Sequence, residues 1–293
     1  MSCALCPRNC GANREKGETG FCGTDNRIKI ARAALHFWEE PCISGTRGSG
    51  AVFFSGCSLR CVFCQNYKIS ACRVGKYISE NELADIFLDL QSQKAHNINL
   101  VTGTHFVPQI IHALKSAKEK GLNIPVVYNC GGYESVSTLK MLEGAIDIYL
   151  PDFKYFNNKY ALKYSNAPNY RETAQKAIAE MVRQTGCAEF DENGIMQKGV
   201  IVRHLMLPGL LFDSKKIIDY LYNTYKDKIW ISIMNQYTPL EHVKKYPELD
   251  RCISSEYYNH LVDYAAELGV TNAFIQEGGT VGESYIPEFS GDE

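Results

Sequence analysis

The sequence predicts an α/β fold: an open partial (β/α)6 barrel that follows a small cysteine-rich, metal-binding N-terminal extension. Six short apolar runs recur after residue 50, and a stretch of helical periodicity follows each of them. Short apolar runs of this kind are typical of strands buried in parallel sheets, and right-handed crossovers curl such a sheet into a barrel. The extension is predicted by four cysteines within the first 22 residues, in a chain that has 12.

The predicted strands and helices of the barrel alternate along the chain. The strands are 51–55, 98–102, 125–129, 146–150, 200–206 and 229–234. The helices are 80–95, 107–120, 135–143, 171–185, 214–225 and 255–268. Ser79 and Glu82 have the spacing of a capping box, which predicts that the first of these helices begins directly after Ser79.

The segments between and around these elements are predicted to be irregular. Residues 45–50 are a turn-rich connector into the first strand, 186–199 a polar hairpin or loop, and 277–293 a glycine-rich tail. We therefore expect two parts, a cysteine-rich metal-binding segment at 1–27 and a barrel domain at 28–293.

Length and composition fit a globular cytoplasmic protein with a large core. Hydrophobic residues make up 45% and charged residues 22% of the 293 residues, and the formal net charge is −2. A slightly negative net charge does not indicate the basic surface that binding to nucleic acid requires, so we expect no nucleic-acid partner. We also expect no membrane or export route, because long apolar runs and a signal-peptide profile are both missing. Cysteines in the cytoplasm favour metal sites or reactive thiols over disulfides.

Three cysteines that directly follow the first predicted strand point to chemistry. Cys57, Cys61 and Cys64 have the spacing C-x3-C-x2-C. Three thiolates in one loop can hold three irons of a cubane [4Fe–4S] cluster and leave the fourth iron without a protein ligand. An open metal position separates a site that performs chemistry from a structural one. By chance this spacing would arise roughly 0.02 times in a chain of this composition, so the motif is specific.

A second group of cysteines lies in the N-terminal segment: Cys3, Cys6, Cys10 and Cys22. Glycine and proline lie between them, as in the knuckle loops that wrap one metal. The segment has too few large apolar side chains to fold alone, so a metal would have to supply its folding energy. Four ligands close the coordination sphere, which predicts a structural or electron-transfer role. Zinc and a second [4Fe–4S] cluster both fit, and four reduced surface thiols are the alternative.

The predicted site continues at the carboxyl ends of the strands, where the βα loops of a barrel converge. Seven residues at these ends are candidates for cofactor binding: Thr102, Gly103, Thr104, Asn129, Asp152, Lys154 and Arg203. Another group precedes the first strand, and its composition assigns it no role: His36, Trp38, Glu39, Glu40 and Cys42.

The cysteine loop and the strand before it resemble the radical S-adenosylmethionine (SAM) superfamily. The resemblance implies that the open iron is chelated by the amino and carboxylate groups of SAM, and that Phe63 packs against the adenine. It also implies that backbone groups after strand two pair with the SAM amino group. A Gly-Gly-Glu stretch usually lies there, whereas this chain has Thr102-Gly103-Thr104. Backbone pairing needs the small residue and not the carboxylate, so the role can survive.

Residues 51–240 and the cysteine-rich leader resemble, more narrowly, the pyruvate formate-lyase activating enzymes and their activating-enzyme-like relatives. The resemblance rests on the cysteine motif extended to Asn66, on Asp152 and Lys154 after strand four, and on Arg203 before a Pro-Gly pair. It implies that the Lys and Arg lie near the SAM carboxylate. A salt bridge between Asp152 and Lys154 at the barrel mouth is the alternative role for these two residues.

A monovalent cation site is a further feature of the activating enzymes. There it is formed by an Asp-Thr pair after strand three together with the strand-four Asp. This chain has Asn129-Cys130 in place of the pair. The resemblance therefore implies that cation binding is weakened or lost.

The resemblance implies a radical SAM enzyme that cleaves SAM reductively to a 5′-deoxyadenosyl radical, which then abstracts hydrogen from a substrate. The cofactor performs the hard step, so the sequence predicts no catalytic side chain. The substrate would be a glycine of a partner glycyl-radical enzyme, with a peptide or small molecule as the alternative, and a flavodoxin- or ferredoxin-type protein would donate the electron. A non-enzymatic iron–sulfur electron carrier is the rival hypothesis. It needs a fourth ligand, for which Cys72 is the candidate.

Overall fold

The structure is a computed structural model that describes residues 2–276 and Phe289. In that part of the chain, ten strands form one sheet. The strands are β1 (Ile28–His36), β2 (Ser49–Phe54), β3 (Lys76–Ile78), β4 (Ile98–Val101), β5 (Val126–Cys130), β6 (Ile148–Pro151), β7 (Glu189–Phe190), β8 (Met196–Leu205), β9 (Trp230–Met234) and β10 (Ala273–Ile275). Apart from Phe289, the predicted glycine-rich tail lies outside the described residues.

The helices lie mainly between the parallel strands. They are α1 (Pro41–Ser44), α2 (Tyr67–Ser70), α3 (Glu80–Ser92), α4 (Val107–Glu119), α5 (Val136–Met141), α6 (Asn158–Ser165), α7 (Tyr170–Thr185), α8 (Leu211–Tyr225) and α9 (Ser255–Leu268). Short 3-10 turns lie at Arg14–Lys16, Thr104–Phe106, Lys226–Lys228 and Glu241–Val243. Within 2–276 and 289, none of the helices has the length and apolar character needed to cross a membrane.

The six predicted strands form the parallel centre of the sheet. They pair in chain order as β2, β4, β5, β6, β8 and β9, and β10 extends this parallel series by one strand. The two edge strands, β10 and β3, do not pair with each other in the described part of the chain, so the barrel is unclosed there. The fold is therefore the open α/β barrel that the sequence predicts.

Alternate residues of the parallel strands pack on opposite faces of the sheet. Val126 and Tyr128 of β5 contact the outer layer of helices, whereas Val127 faces inward. The inward-facing residues pack against Cys42 and Ile43 of α1. The short helix α1 thus fills the amino-terminal end of the barrel, and the opposite end remains for the βα loops.

Strand β1 is the largest element that the sequence analysis did not predict. It runs antiparallel to β2, with His36 opposite Ser49, so it ends at the amino-terminal end of the barrel. From there, residues 37–48 return to β2 by way of the barrel interior, where they line the cavity and pack on the inner face of the strands. The predicted connector at 45–50 needs a correction, because its last two residues already belong to β2. The hydrogen bonds that Ser49 and Gly50 make within the sheet extend the strand beyond its apolar run.

The predicted helices are present, with boundaries that differ by a few residues. The capping box at α3 is confirmed: Ser79 Oγ accepts from the N–H of Glu82 over 3.2 Å, and Ser79 N–H donates to the Glu82 carboxylate over 2.7 Å. Helix α8 begins at Leu211, three residues before its predicted start. At 186–199 the chain forms the predicted hairpin, in which β7 pairs with β8. Helices α1, α2 and α6 were not predicted.

Candidate active site

The three predicted cluster cysteines lie in a loop that begins just after β2. Gly56, directly before Cys57, has φ +88°, a left-handed conformation that favours glycine. A Cβ at this position would lie 2.8 Å from the carbonyl oxygen of Cys22 and 2.7 Å from Cγ2 of Thr24. Glycine is required here because the N-terminal segment packs directly against the start of the loop.

Each of the three cysteine sulfurs accepts one hydrogen bond from the protein. The donors are the N–H of Leu59 to Cys57 at 3.3 Å, the hydroxyl of Ser165 to Cys61 at 3.0 Å and the hydroxyl of Ser70 to Cys64 at 3.4 Å. The two serines end α6 and α2, the helices that the sequence analysis missed. These helices therefore fix the direction of two of the three thiols.

The cysteine loop lines a cavity of about 450 Å³. Most of the predicted site residues line the same cavity: Cys57, Cys61, Phe63, Cys64, Thr102, Asn129, Asp152, Lys154 and Arg203. The fold thus brings together residues from the ends of five strands, as expected for the loop end of a barrel. Gly103 and Thr104 are the two predicted cofactor positions that do not line this cavity.

Gly103 and Thr104 pack against neighbouring elements instead. A Cβ at Gly103 would lie 2.4 Å from Cδ1 of Ile110, so the small residue lets α4 approach the sheet closely. The Thr104 hydroxyl donates to Oε1 of Glu134 over 2.9 Å, and both side chains are buried. Burial raises the pKa of Glu134 to about 8, although its hydrogen bonds with Thr104 and Tyr128 favour the charged form. The Thr104 side chain is therefore engaged away from the cavity.

Phe63 lies between the second and third cysteines and is almost fully buried. Its ring packs against Tyr155 and Tyr237, each with a centroid distance of 6.3 Å, and it also lines the cavity. One edge of the ring is thus held by tyrosines while the residue still borders the cavity space. Packing of Phe63 on an adenine stays a prediction.

Arg203 of β8 is the centre of a buried polar cluster on the cavity wall. Its guanidinium donates to Asp152 over 3.0 Å, to Glu39 over 3.0 Å and to Asn129 over 2.6 Å. Asn129 and Asp152 occupy the positions to which the resemblance assigns a monovalent cation. The guanidinium of Arg203 therefore supplies a positive charge between them. We call Arg203, Glu39, Asn129, Asp152 and Lys154 the Arg203 cluster.

Glu39 is a member of this cluster that sequence reasoning did not assign to the site. Its Oε1 accepts from the amides of Asn99 and Asn129, both at 3.2 Å, while Oε2 accepts from Arg203. Burial raises the pKa of Glu39, and Arg203 opposes that shift. The available signal was a pair of adjacent glutamates in an otherwise apolar and aromatic segment, but only the path of β1 shows that they reach the barrel interior.

Lys154 links the Arg203 cluster to the cysteine loop. Its ammonium donates to Oδ2 of Asp152 over 2.5 Å, so the salt bridge that the sequence analysis weighed is present. Burial disfavours the charge of Asp152, but Arg203 and Lys154 outweigh burial and lower its pKa. The charge of Lys154 also favours the thiolates of Cys57 and Cys64. One ammonium thus serves both a carboxylate and the thiol group.

The sequence model of the Radical SAM superfamily matches residues 51–221, which include the cysteine loop and the whole Arg203 cluster except Glu39. The chain belongs to the Radical SAM superfamily. A relative, "Uncharacterized protein MJ0674" of Methanocaldococcus jannaschii, is 32% identical over 266 residues. The match covers 87% of this chain and 71% of that protein, so it extends beyond the superfamily region.

Two solved structures that align with a TM-score of 0.51 share the fold of this chain. Streptococcus suis SuiB bound to S-adenosylmethionine aligns with a TM-score of 0.51 at 13% identity, over 75% of this chain and 48% of that one. A radical SAM methyltransferase from Sphaerobacter thermophilus aligns with a TM-score of 0.51 at 13% identity, over 79% and 67%. A domain of pyruvate-formate lyase-activating enzyme from Bacteroides vulgatus gives 0.42 at 15% identity, over 58% and 91%. This radical SAM chain spans about half the length of the SuiB chain.

The residues of this radical SAM protein fit the [4Fe–4S] cluster and SAM that the family implies. Burial raises the pKa of Cys64 to about 12 and raises that of Cys57, so these thiols ionise only beside positive charge. Iron supplies such charge, because a coordinating thiol is deprotonated. Cys57, Cys61 and Cys64 line one cavity, and three thiolates are the number of ligands that a cubane cluster with one open iron requires.

The N-terminal segment is fastened to the radical SAM loop by Arg8. The guanidinium of Arg8 donates to the carbonyl of Ser58 over 2.7 Å and to that of Ser165 over 2.9 Å, and it also donates to the carbonyl of Asn166. It stacks on Phe21 at 3.8 Å. Ser58 lies between the first two cluster cysteines, so the segment contacts the loop itself.

The four N-terminal cysteines gather in this segment. A Cβ at Gly20 would lie 2.7 Å from the sulfur of Cys10 and 3.8 Å from that of Cys22. Burial raises the pKa of Cys6 to about 12, and the nearby thiols of Cys22 and Cys3 raise it further. Cys10 is exposed and Cys22 is buried. The carbonyl of Cys22 thus borders the start of the loop, while its sulfur lies 3.3 Å from the Thr24 hydroxyl and near Cys10 at Gly20.

Proposed function

We propose that this protein is a radical SAM enzyme that cleaves SAM reductively in the described cavity and abstracts a hydrogen atom from a substrate there. One observation carries the proposal: Cys57, Cys61 and Cys64 line the same cavity as the Arg203 cluster. Three thiols without a fourth leave an iron open for SAM, and the cavity beside them provides room for it.

In this mechanism the chain's own residues bind SAM and the substrate, orient them and shield them from water. When bound and reduced, the cluster supplies the electron that splits SAM into methionine and a 5′-deoxyadenosyl radical. Lys154 keeps positive charge beside the thiolates and is itself held in place by Asp152. Phe63 forms a wall next to the loop. The protein's contribution is thus geometry and a fixed electrostatic environment.

Exclusion of water is the other contribution of the protein, because a carbon radical must meet only its substrate. Several apolar side chains line the cavity between the loop and the sheet: Phe53, Leu59, Val101, Leu205 and Met234. Most of them are buried.

The proposed substrate is a glycine in a partner protein of the glycyl-radical type, as the resemblance to activating enzymes implies. Three large apolar side chains on the cavity lining support a macromolecular substrate, because they are strongly exposed: Phe37, Trp38 and Ile275. Modification of a peptide or of a small molecule is the alternative. A flavodoxin- or ferredoxin-type protein is the proposed electron donor, and the need for reduced thiols favours the cytoplasm.

The iron–sulfur carrier is supported less well by the structure. A carrier would need a fourth cysteine facing the loop, and Cys72 is exposed and is not among the residues that line the cavity. A cavity that can hold a small molecule also has no purpose in a carrier.

We also propose a second metal centre on Cys3, Cys6, Cys10 and Cys22 of segment 1–27. The convergence of Cys10 and Cys22 at Gly20 supports it. Zinc and a second [4Fe–4S] cluster are both compatible with four cysteine ligands.

Formation of 5′-deoxyadenosine tests the proposed function without knowledge of the substrate. Anaerobically reconstituted protein, given dithionite and SAM, should form it. Cys61→Ala should form none, because two thiols cannot hold the cluster. Cys187→Ala, which removes an exposed cysteine outside the site, is the matched control and should act as wild type. Turnover in Cys61→Ala, or none in wild type, would refute the proposal.

A further inference from the structure

Glu40 is a buried carboxyl at the cavity, and one of its two oxygens has no hydrogen-bond partner among the described residues. It lines the cavity and is only 8% exposed. It forms no ion pair in the described part of the chain, and although the Ser232 side chain bonds the carboxyl, Oε2 is enclosed and unpaired. A buried carboxyl oxygen without a partner costs free energy, so such an atom in a binding cavity indicates a missing ligand.

The other charged groups of the cavity already compensate one another. Glu39 and Asp152 share Arg203, and Asp152 also pairs with Lys154. The charged lining therefore holds three carboxyls against two cations, and Glu40 is the carboxyl without an ion pair in the described part of the chain. Burial raises the pKa of Glu40, and the charge of Arg203 opposes that shift. A cationic ligand group beside Glu40 would favour its charged form and balance it.

Glu40 lies on the cavity wall beside the Arg203 cluster. It hydrogen-bonds the side chain of Ser232, and Ser232 of β9 pairs with Arg203 of β8. The cysteine loop comes after Phe54, the last residue of β2, and reaches the same cavity from the carboxyl end of that strand. The Arg203 cluster thus lies between Glu40 and the cysteine loop, because Glu39 bonds Arg203 and Lys154 links the cluster to the thiols.

Aromatic side chains line the cavity near Glu40. Trp38 precedes it by two residues, and Phe274 of the edge strand β10 also lines the cavity. The ring of Phe274 is held by stacking on Trp230 at 4.8 Å. Aromatic faces beside a carboxylate are a recurring environment for bound ammonium groups, since both attract positive charge.

We infer that Glu40 is a specificity-determining residue that binds a primary ammonium group of the substrate, such as that of a lysine side chain or a small amine. The inference rests on the proposed function, because it takes the cavity to hold a substrate beside SAM. Glu40 then accepts a charge-assisted hydrogen bond from the ammonium, and the aromatic rings cover its alkyl chain.

Three small probes of similar size test this inference: pentylammonium, pentanol and pentanoate. Their binding to reconstituted, SAM-loaded protein is measured by saturation-transfer NMR. Pentylammonium should bind at least about tenfold more tightly than pentanol, and pentanoate most weakly. Glu40→Gln should remove the preference for the ammonium. Glu241→Gln, which changes a glutamate side chain that is 83% exposed, should keep it.

Several results would overturn the inference. These are equal or undetectable binding of the three probes to wild type, a preference that survives in Glu40→Gln, or a weakened affinity for SAM in place of the probe. Glu40→Asp keeps the carboxylate and should retain the preference for the ammonium. This second variant tests the inference even where Glu40→Gln does not fold. Wild-type 5′-deoxyadenosine formation reports on the proposed function separately, since probe ranking does not depend on SAM cleavage.

Discussion

Arg203 donates from Nη1 to Oε2 of Glu39 over 3.0 Å, although the two residues lie 164 positions apart in the chain. The bond joins β8 to the segment that follows β1 at the amino-terminal end of the barrel. Arg203 also holds Asp152 and Asn129, so three of its N–H groups are used within the protein. Arg203 therefore acts as a positioning residue for the cavity wall.

Loss of this ion pair should destabilise the protein strongly. Glu39→Gln leaves the Arg203 guanidinium with one carboxylate fewer in a buried site, and breaking a buried pair costs about 3–5 kcal/mol. Urea unfolding should show this decrease in the free energy of unfolding. Lys120→Gln is the control, because both side chains of its ion pair with Asp85 are about half exposed or more and such pairs are worth about 0–1 kcal/mol. Equal effects of the two substitutions would contradict the role of the Arg203 cluster.

Glu134 should make stability fall as the pH rises. Its pKa is raised from the ordinary value of 4.5 to about 8, so folding favours its protonated form. The stabilisation is complete below about pH 4.5 and is lost as the pH approaches 8. Glu134→Gln mimics the protonated form. Relative to this variant, wild type should lose about 2 kcal/mol between pH 5.5 and 7.5, measured by urea unfolding. Parallel pH profiles for the two proteins would disprove the shift.

The parallel strands were predictable because burial on both faces makes them continuously apolar. All six residues of β2 are buried, for example. Strand β1 has only partial burial and carries Lys29 and Arg32, so its sequence lacks that signal. Its antiparallel pairing with β2 depends on contacts that no local pattern specifies.

The same difference separates the predictable part of the site from the rest. Cys57, Cys61 and Cys64 lie within one loop, so their spacing alone identifies them. Glu39 joins the site only through Arg203, which is far away in sequence. Thr104 follows a strand end as expected, but its hydroxyl finds Glu134 in the next βα unit. Sequence position predicts which end of the barrel a residue reaches and not which way its side chain turns.

Phe63 should contribute to SAM affinity. Phe63→Ala removes an aromatic ring that borders the cavity, and such contacts are worth about 0.5–1.5 kcal/mol beyond burial, or roughly two- to twelvefold in Kd. Anaerobic calorimetry should show weaker SAM binding while the visible absorption of the cluster persists. Phe212→Ala, at a position that is 81% exposed, should bind SAM as wild type does. An unchanged SAM affinity in Phe63→Ala would assign this ring to packing on Tyr155 and Tyr237 alone.

The N-terminal cysteines should be needed for folding of their own segment more than for SAM cleavage. Cys6→Ser removes one of four ligands, and a segment with few apolar side chains cannot fold without its metal. Limited proteolysis should therefore cut this variant within residues 2–27, while Arg8 no longer holds the segment against Ser58. Cleavage of SAM should persist at least in part, because Cys57, Cys61 and Cys64 remain. Cys252→Ser, at an exposed cysteine far along the chain, is the control.

Metal analysis of the same proteins then identifies the second centre. A second iron–sulfur cluster would be established if wild type holds two four-iron clusters and no zinc while Cys6→Ser holds only one cluster. One zinc beside a single cluster would establish a structural knuckle. A wild type with one cluster and no zinc, together with a Cys6→Ser variant that resists protease, would show that these four cysteines hold no metal. The approach of Cys10 and Cys22 at Gly20 would then be a matter of packing.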